Sequence, residues 1–419
     1  MSGSARGDVF RIRGFAAYWA SYTVSGFGAY VTTLALQVLV LVQLGGTAVD
    51  VGLVSAARWL PYLLVGLLVG ALVDRRRRRP LLIGSALGRA VLLLLIPAVF
   101  AVGWLRVPVL LVVVAVVGLL SLVGDASAQA LVPRIVPRSA LVAAHARTDQ
   151  SDAIAQATGP LLAGALVSAV GAAAALVVDA VASVFSALAI FRVRVQEAVV
   201  PPEHSRSLRR EIADGLRWVY RHRVLGPLAI GSHVWFFFSS ILNTAFVPFV
   251  LVGLGLSAFQ LGVALAGAGA AALVGSSLSL RAGRRWGAGV AVIVSNLAMA
   301  LGWAMVALVP ATIGAGAILV VLALGQGFVG FGMGLSNANE MGYRQAVTPD
   351  ELQARTNTTM RSANRAMIVI GAPLGGLIAT VAGYRPALWL GVAGVLAATA
   401  ILAFSPARSA RHDLDAPPG

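Results

Sequence analysis

The sequence predicts an all-α integral membrane protein whose twelve transmembrane helices form two pseudo-symmetric six-helix bundles. Of its 419 residues 58% are hydrophobic and 11% charged, with a mean hydropathy of +0.87. A soluble fold of that size cannot bury so much apolar side chain. The apolar residues come in blocks of about 20 with almost no charge, and such a block at 1.5 Å per residue spans a hydrocarbon core of roughly 30 Å. The chain also repeats itself at about half its length, which points to two pseudo-symmetric bundles side by side in the membrane.

The blocks place the spans at 14–42, 51–73, 81–102, 107–130, 143–169, 172–191, 224–252, 258–279, 288–309, 312–339, 360–382 and 385–405. An even number puts both termini on one side. With the N-terminus assigned to the cytoplasm, 28 of the 32 arginines fall in the alternate loops, their helix ends and the tails. Arg106 and Arg385 lie on the far side, and Arg58 and Arg89 lie within spans. The positive-inside bias therefore predicts two cytoplasmic termini, in a bacterial-type inner membrane. The net charge of +16 is absorbed by this topology. No basic stripe falls on a folded soluble face, so a nucleic-acid partner is not expected. The first apolar run lacks a small-residue cleavage site after a short core and reads as a retained helix.

The polar stretch 192–223 divides the chain into a first bundle (1–191), a linker and a second bundle (224–419). After Pro201 and Pro202, Leu208, Ile212, Leu216 and Val219 recur at helical spacing among Arg209, Arg210, Arg217 and Arg221. This is the pattern of a basic amphipathic helix on the inner leaflet, serving as a tether or as a docking site for a soluble partner.

Three segments recur. Residues 70–80 (GALVDRRRRRP) match 276–286 (SSLSLRAGRRW) at an offset of 280 − 74 = 206. Residues 124–137 match 334–347, with Arg134 and Arg344 offset by 210. GPLLAG at 159–164 matches APLGGL at 372–377, with prolines offset by 373 − 160 = 213. Two parallel halves related by an axis along the membrane normal account for all three.

The loop after span two resembles motif A of the major facilitator superfamily, Gly-x-Leu-x-Asp-basic-x-Gly-basic-basic. Gly70, Leu72, Asp74, Arg75, Arg78 and Arg79 match, and Arg77 replaces the second glycine. The residues around it and the segment EIADGLRWVYRHRVLGPL resemble the branch of enterobactin exporters and macrolide-efflux-type permeases. Gly159, Pro160 and Gly164 are similar to the core of the antiporter motif, from which Ala163 departs. The resemblance covers the whole chain and implies the major facilitator fold, with alternating access between rocking halves.

It also implies that the start of span eleven, with Arg361 and Arg365, faces the loop holding Asp74. A carboxylate among arginines stays ionised and suits a helix N-terminus, so a latch there is expected. In the second copy Leu280 takes the acid's place, and Arg281 and Arg284 face Asp149 and Asp152 of span five as a charge-swapped latch. Topology anchoring alone also explains residues 75–79. Ionisable residues within spans are costly and are functional candidates by default. The proton-coupling candidates are Asp125, Asp149, Asp152 and Asp179; Asp125 or Asp152 suits the role, while Asp179 also fits a static pair with Arg58 or Arg89. Glu340 and Arg344 fall at the inner mouth.

In this fold the first helix of each three-helix unit lines the cavity. Span one supplies Tyr18, Tyr22, Ser25, Thr32 and Gln37, and span seven supplies His233, Phe236, Phe237, Ser240, Asn243 and Thr244. Aromatics with a few neutral polar groups suit a bulky amphipathic solute, and helix packing explains the same stripes.

With no cysteine and five scattered histidines, neither disulfides nor a metal site is expected. No GxxxxGK motif is present, so no nucleotide and no other cofactor is invoked, and a proton gradient is the energy source. The expected function is export of a drug or siderophore-type small molecule. Uptake of a nutrient or lipid and a non-transporting membrane scaffold are the alternatives. One chain holds both halves, so a monomer suffices.

Overall fold

A computed structural model describes residues 9–195 and 208–411, apart from the side chains of residues 67, 71, 74, 208–212, 350 and 354. The first half contains α1 (Phe15–Val38), α2 (Ala48–Asp74), α3 (Arg78–Ala101), α4 (Val107–Ile135), α5 (Leu141–Val170) and α6 (Ala172–Phe191). After the linker helix α7 (Leu208–Arg221) come α8 (Leu225–Pro248), α9 (Ala258–Trp286), α10 (Ala288–Leu308), α11 (Ala315–Val347), α12 (Asp350–Val381) and α13 (Tyr384–Ala403). All but α7 are long and apolar enough to cross a membrane, and no strand occurs among the described residues.

Helix ends fall alternately on an arginine-rich and an arginine-poor face. On the arginine-rich face the helices outrun the apolar blocks: α4 reaches Ile135, α9 Trp286 and α11 Val347, and α12 starts at Asp350. Arg134, Arg281, Arg284, Arg344 and Arg355 therefore sit on helical extensions. Hydropathy stops at the edge of the apolar run, whereas backbone hydrogen bonding does not.

The halves repeat each other closely. Within the first, α1 packs on α5 and α6, α3 on α4 and α6, and α2 on α4; within the second, α8 packs on α12 and α13, α10 on α11 and α13, and α9 on α11. At the arginine-poor face α1 ends in a π-turn over Leu39–Gln43 and α8 in one over Phe249–Gly253. Gly45 and Gly255 then take positive φ, which only glycine adopts without strain. Capping boxes follow, Thr47 with Asp50 and Ser257 with Gln260, and start the next helices. Helix starts at Ala48 and Ala258, and at Arg78 and Ala288, both differ by 210. The motif loops therefore align at 210 rather than 206, which sets Asp74 against Arg284 instead of Leu280.

The halves meet at two crossings, α2 with α12 and α5 with α9. Both are built from small residues near the arginine-poor face. A Cβ on Gly52 would strike the Ala372 carbonyl, and one on Gly376 the Ala48 carbonyl. A Cβ on Gly262 would stand 2.6 Å from the Pro160 carbonyl oxygen, and one on Gly164 would lie 3.0 Å from the Gly262 Cα. Gly159 packs against the Tyr30 ring instead. The antiporter-like residues Pro160 and Gly164 thus form a backbone-to-backbone seam.

Candidate functional site

Each half encloses a cavity in the arginine-rich portion of its helices, and the two cavities are pseudo-equivalent. The first, of about 360 Å³, is lined by residues of α1 to α6 including Tyr18, Tyr22, Ser25, Arg58, Arg89, Asp125, Gln129 and Asp152. The second, of about 420 Å³, is lined from α8 and α10 to α13 by Ser232, Trp235, Phe236, Asn296, Met299, Met333, Asn337, Glu340, Arg344 and Asn364. At the offset of 210, Tyr22 corresponds to Ser232, Ser25 to Trp235 and Arg89 to Met299. At 212, the spacing between the caps Gly171 and Gly383, Asp125 corresponds to Asn337 and Asp152 to Asn364. At these positions the first half thus carries two acids and an arginine, and the second two amides and a thioether.

In the first cavity both carboxylates are held by tyrosines. Tyr62 donates to Asp125 Oδ2 at 2.7 Å, and Tyr22 donates to Asp152 Oδ2 at 2.6 Å. Arg365 comes from the other half: its guanidinium lies 3.7 Å from the centroid of Trp59 and 5.9 Å from that of Tyr62. A cation this close to an indole face is attracted by the ring quadrupole. Arg365, α2 and Asp125 therefore form one chain of contacts across the halves. Arg58 donates to Thr33 and also flanks Trp59, at 5.7 Å.

Asp179 is fully buried and committed. Arg89 Nη2 approaches both its oxygens at 3.4 Å, and the Thr32 hydroxyl donates to Oδ2 at 2.5 Å. A side chain at Gly28 would occupy the place of this carboxylate. Of the two arginines matched with Asp179 by sequence, the partner is Arg89. Asp149 is exposed near the start of α5.

In the second half His233 bonds Asn364 Oδ1 at 2.6 Å through Nδ1 and the Tyr220 hydroxyl at 2.7 Å through Nε2. Phe236 lines the cavity. Ser240 donates to the Phe237 carbonyl at 2.7 Å and abuts Gly371 of α12, while Asn243 donates to the Ser239 carbonyl at 2.7 Å. These two serve helix packing. Gln37 lines neither cavity.

Around the motif loop, Arg79 donates to the Ile190 and Phe191 carbonyls and stacks on the Phe191 ring at 5.3 Å, closing the C-terminus of α6. Arg78 is buried, and Arg75 and Leu72 are exposed. A Cβ on Gly70 would meet open space. The Asp74 side chain lies outside the described residues. Arg361 is exposed, and Arg365 stacks on Trp59, three turns or more from the end of α2. Arg281 and Arg284 are exposed, and among the described residues no ion pair joins them to Asp149 or to Asp152, which is bonded by Tyr22.

Trp59, Tyr62 and Gln129 escaped the sequence reading, which sought the substrate surface on spans one and seven alone. The signal was present: WLPY at 59–62 places two aromatic rings beside Arg58 in an otherwise aliphatic span. Among the described residues no group of three or more metal-ligating side chains forms.

The family profile described as Major Facilitator Superfamily matches residues 18–358 and, overlapping, 228–418. The "Multidrug efflux pump Tap" of Mycolicibacterium fortuitum is 30% identical over 237 residues, which span 55% of this chain and 56% of that protein. The crystal structure of the nucleoside transporter NupG superposes with a TM-score of 0.74 at 12% identity, over 94% of this chain and 98% of that one. A bacterial homologue of the iron transporter ferroportin, in an inward-facing state, gives 0.74 at 15% identity, over 95% and 99%. At such identities the likeness is one of fold. With two pseudo-symmetric six-helix halves, paired cavities and a profile match along nearly its whole length, the chain belongs to the Major Facilitator Superfamily.

Proposed function

We propose that the chain is a secondary active exporter, exchanging protons for a bulky amphipathic organic solute of drug or siderophore type by alternating access. The observation that carries this reading is the aromatic cavity of the first half, where Asp125 and Asp152 are each bonded by a tyrosine. A coupling acid must be neutral in one state of the carrier and charged in the other, which a carboxylate inside a cavity between ring walls can be. Protonating Asp125 removes the negative end of the chain that runs through Tyr62 to Arg365, loosening α12 from α2. Aromatic walls offer stacking area to a planar or amphipathic solute.

Both termini are assigned to the cytoplasm by the arginine distribution. On that assignment the closed seams face outward and the cavities inward, so this state is inward-open. The relative at 30% identity is named as a multidrug efflux pump, which supports the outward direction. The Gly52, Gly164, Gly262 and Gly376 seams form the outer gate, and the motif loop with Asp74 forms the inner latch, which engages in the opposite state. The solute enters the cavities from the cytoplasm, and a proton returning through Asp125 or Asp152 resets the carrier.

The test is reconstitution into proteoliposomes with a pH-sensitive dye inside, challenged with lipophilic cations, macrolides and catecholate siderophores under an imposed proton gradient. Substrate-dependent proton movement is expected for at least one class. Labelled solute crossing without proton movement overturns the coupling.

A further inference from the structure

No step of the transport cycle above employs the linker helix α7, yet it is firmly seated. Val219 is buried against Ala229 and Met360. Asp214 pairs with Arg355 of α12 at 3.1 Å, and a Cβ on Gly215 would stand 2.7 Å from Thr359 Oγ1. Tyr220 reaches His233 of α8. Beside this docked face runs a second stripe: Asp214, Arg217, Trp218 and Arg221 stand at i, i+3, i+4 and i+7, one side of a helix. With His222, Arg223 and Leu352 they line a surface cleft of about 630 Å³.

The cleft is built for an anion. The one acid among its described lining residues, Asp214, is already engaged by Arg355. Arg217, Arg221 and Arg223 are exposed and have no ion-pair partner among the described residues. The indole Nε1 of Trp218 is shielded from solvent and donates to no group among the described residues, a cost that an acceptor oxygen would remove. Its ring is fixed against His222, with centroids 5.5 Å apart. Clustered guanidinium groups and a fixed N–H recognise phosphate oxygens. The span α8 begins at Leu225, four residues beyond Arg221, which sets the cleft at headgroup level. Leu352 supplies an apolar edge for the start of an acyl chain.

We propose that this cleft binds the phosphate of an anionic phospholipid from the leaflet on the arginine-rich face, with Trp218 donating to it and Arg217, Arg221 and Arg223 surrounding it. The bound lipid ties α7 to the base of α12, the helix that crosses α2 at the opposite face. The proposal is independent of the solute and of proton coupling.

The full chain in detergent is titrated with phosphatidylglycerol, phosphatidylcholine or inorganic phosphate, reading native mass-spectrometric adducts and tryptophan fluorescence. Phosphatidylglycerol should bind in preference to phosphatidylcholine, with affinity reduced at least about tenfold in an R217Q/R221Q/R223Q variant. The lipid-dependent fluorescence change should vanish in Trp218→Phe, a single change that serves as the test if the triple variant does not fold. Equal phosphatidylglycerol binding by wild type and triple variant, or a fluorescence response that survives Trp218→Phe, overturns the site. Inorganic phosphate producing the same response at millimolar concentration overturns the lipid assignment in favour of a soluble anion.

Discussion

Replacing Gly262 with valine should force the two halves apart at the arginine-poor face. A Cβ at this position would stand 2.6 Å from the Pro160 carbonyl oxygen, 3.1 Å from the Gly164 Cα and 3.3 Å from the Leu161 Cα, all of them backbone atoms that cannot rotate away. Ordinary contact begins at 3.4 Å, so α5 and α9 must separate by close to 1 Å even for alanine, and valine adds two more carbons. Overpacking of this kind costs about 1–3 kcal/mol. The cost arises only while the crossing is closed, so the closed-to-open ratio should fall by about 5-fold to about 150-fold. The absence of cysteine makes the assay clean. Spin labels on cysteines introduced at Val102 and Leu308, exposed by 62% and 64% at the arginine-poor ends of α3 and α10, report the separation of the halves. Gly262→Val should raise the long-distance population, and Gly52→Val at the pseudo-equivalent crossing should do the same. An unchanged distance distribution in a variant of normal thermal stability would refute the reasoning.

Three further outcomes follow from the same contacts. Asp179→Asn leaves Arg89 without its counter-ion and should cost about 3–5 kcal/mol, read as a fall in thermal stability in detergent; joint replacement by Asp179→Leu and Arg89→Met should recover most of it. Arg365→Gln removes a stack worth about 0.5–2 kcal/mol, and should alter the emission of Trp59 and slow transport while leaving expression intact. Asp74→Arg should impair transport more than expression, and full transport by that variant would remove the inner latch.

Span number and order were legible because each span must satisfy its own backbone within a long apolar run, which hydropathy detects directly. The repeat was legible in part. Matching the arginine-rich loops slipped the register by one turn, since runs of arginine align with one another at several offsets. The stronger repeat lay at the other face, where VLVQLGGTAVDVG at 40–52 parallels VLVGLGLSAFQLG at 250–262 and encodes π-turn, positive-φ glycine, capping box and seam glycine in order. The Asp179 pair could be narrowed to Arg58 or Arg89 by charge alone, and only packing of α3 against α6 chose Arg89. The site was harder to foresee because Trp59, Tyr62, Asp125 and Arg365 come from three helices in two halves, and no local period joins them. Ser240 and Asn243 have the right residue types for a cavity, but their side chains satisfy their own helix, as hydroxyls and amides in spans often do.

The most direct test of proton-coupled export is proton movement across a proteoliposome membrane during solute challenge, comparing wild type with Asp125→Asn and Asp152→Asn. Substrate-dependent proton movement in the wild type, lost in at least one of these variants while solute binding persists, is the predicted result. Coupled proton movement of wild-type size in both variants would contradict the assignment of the coupling acid to the tyrosine-held carboxylates.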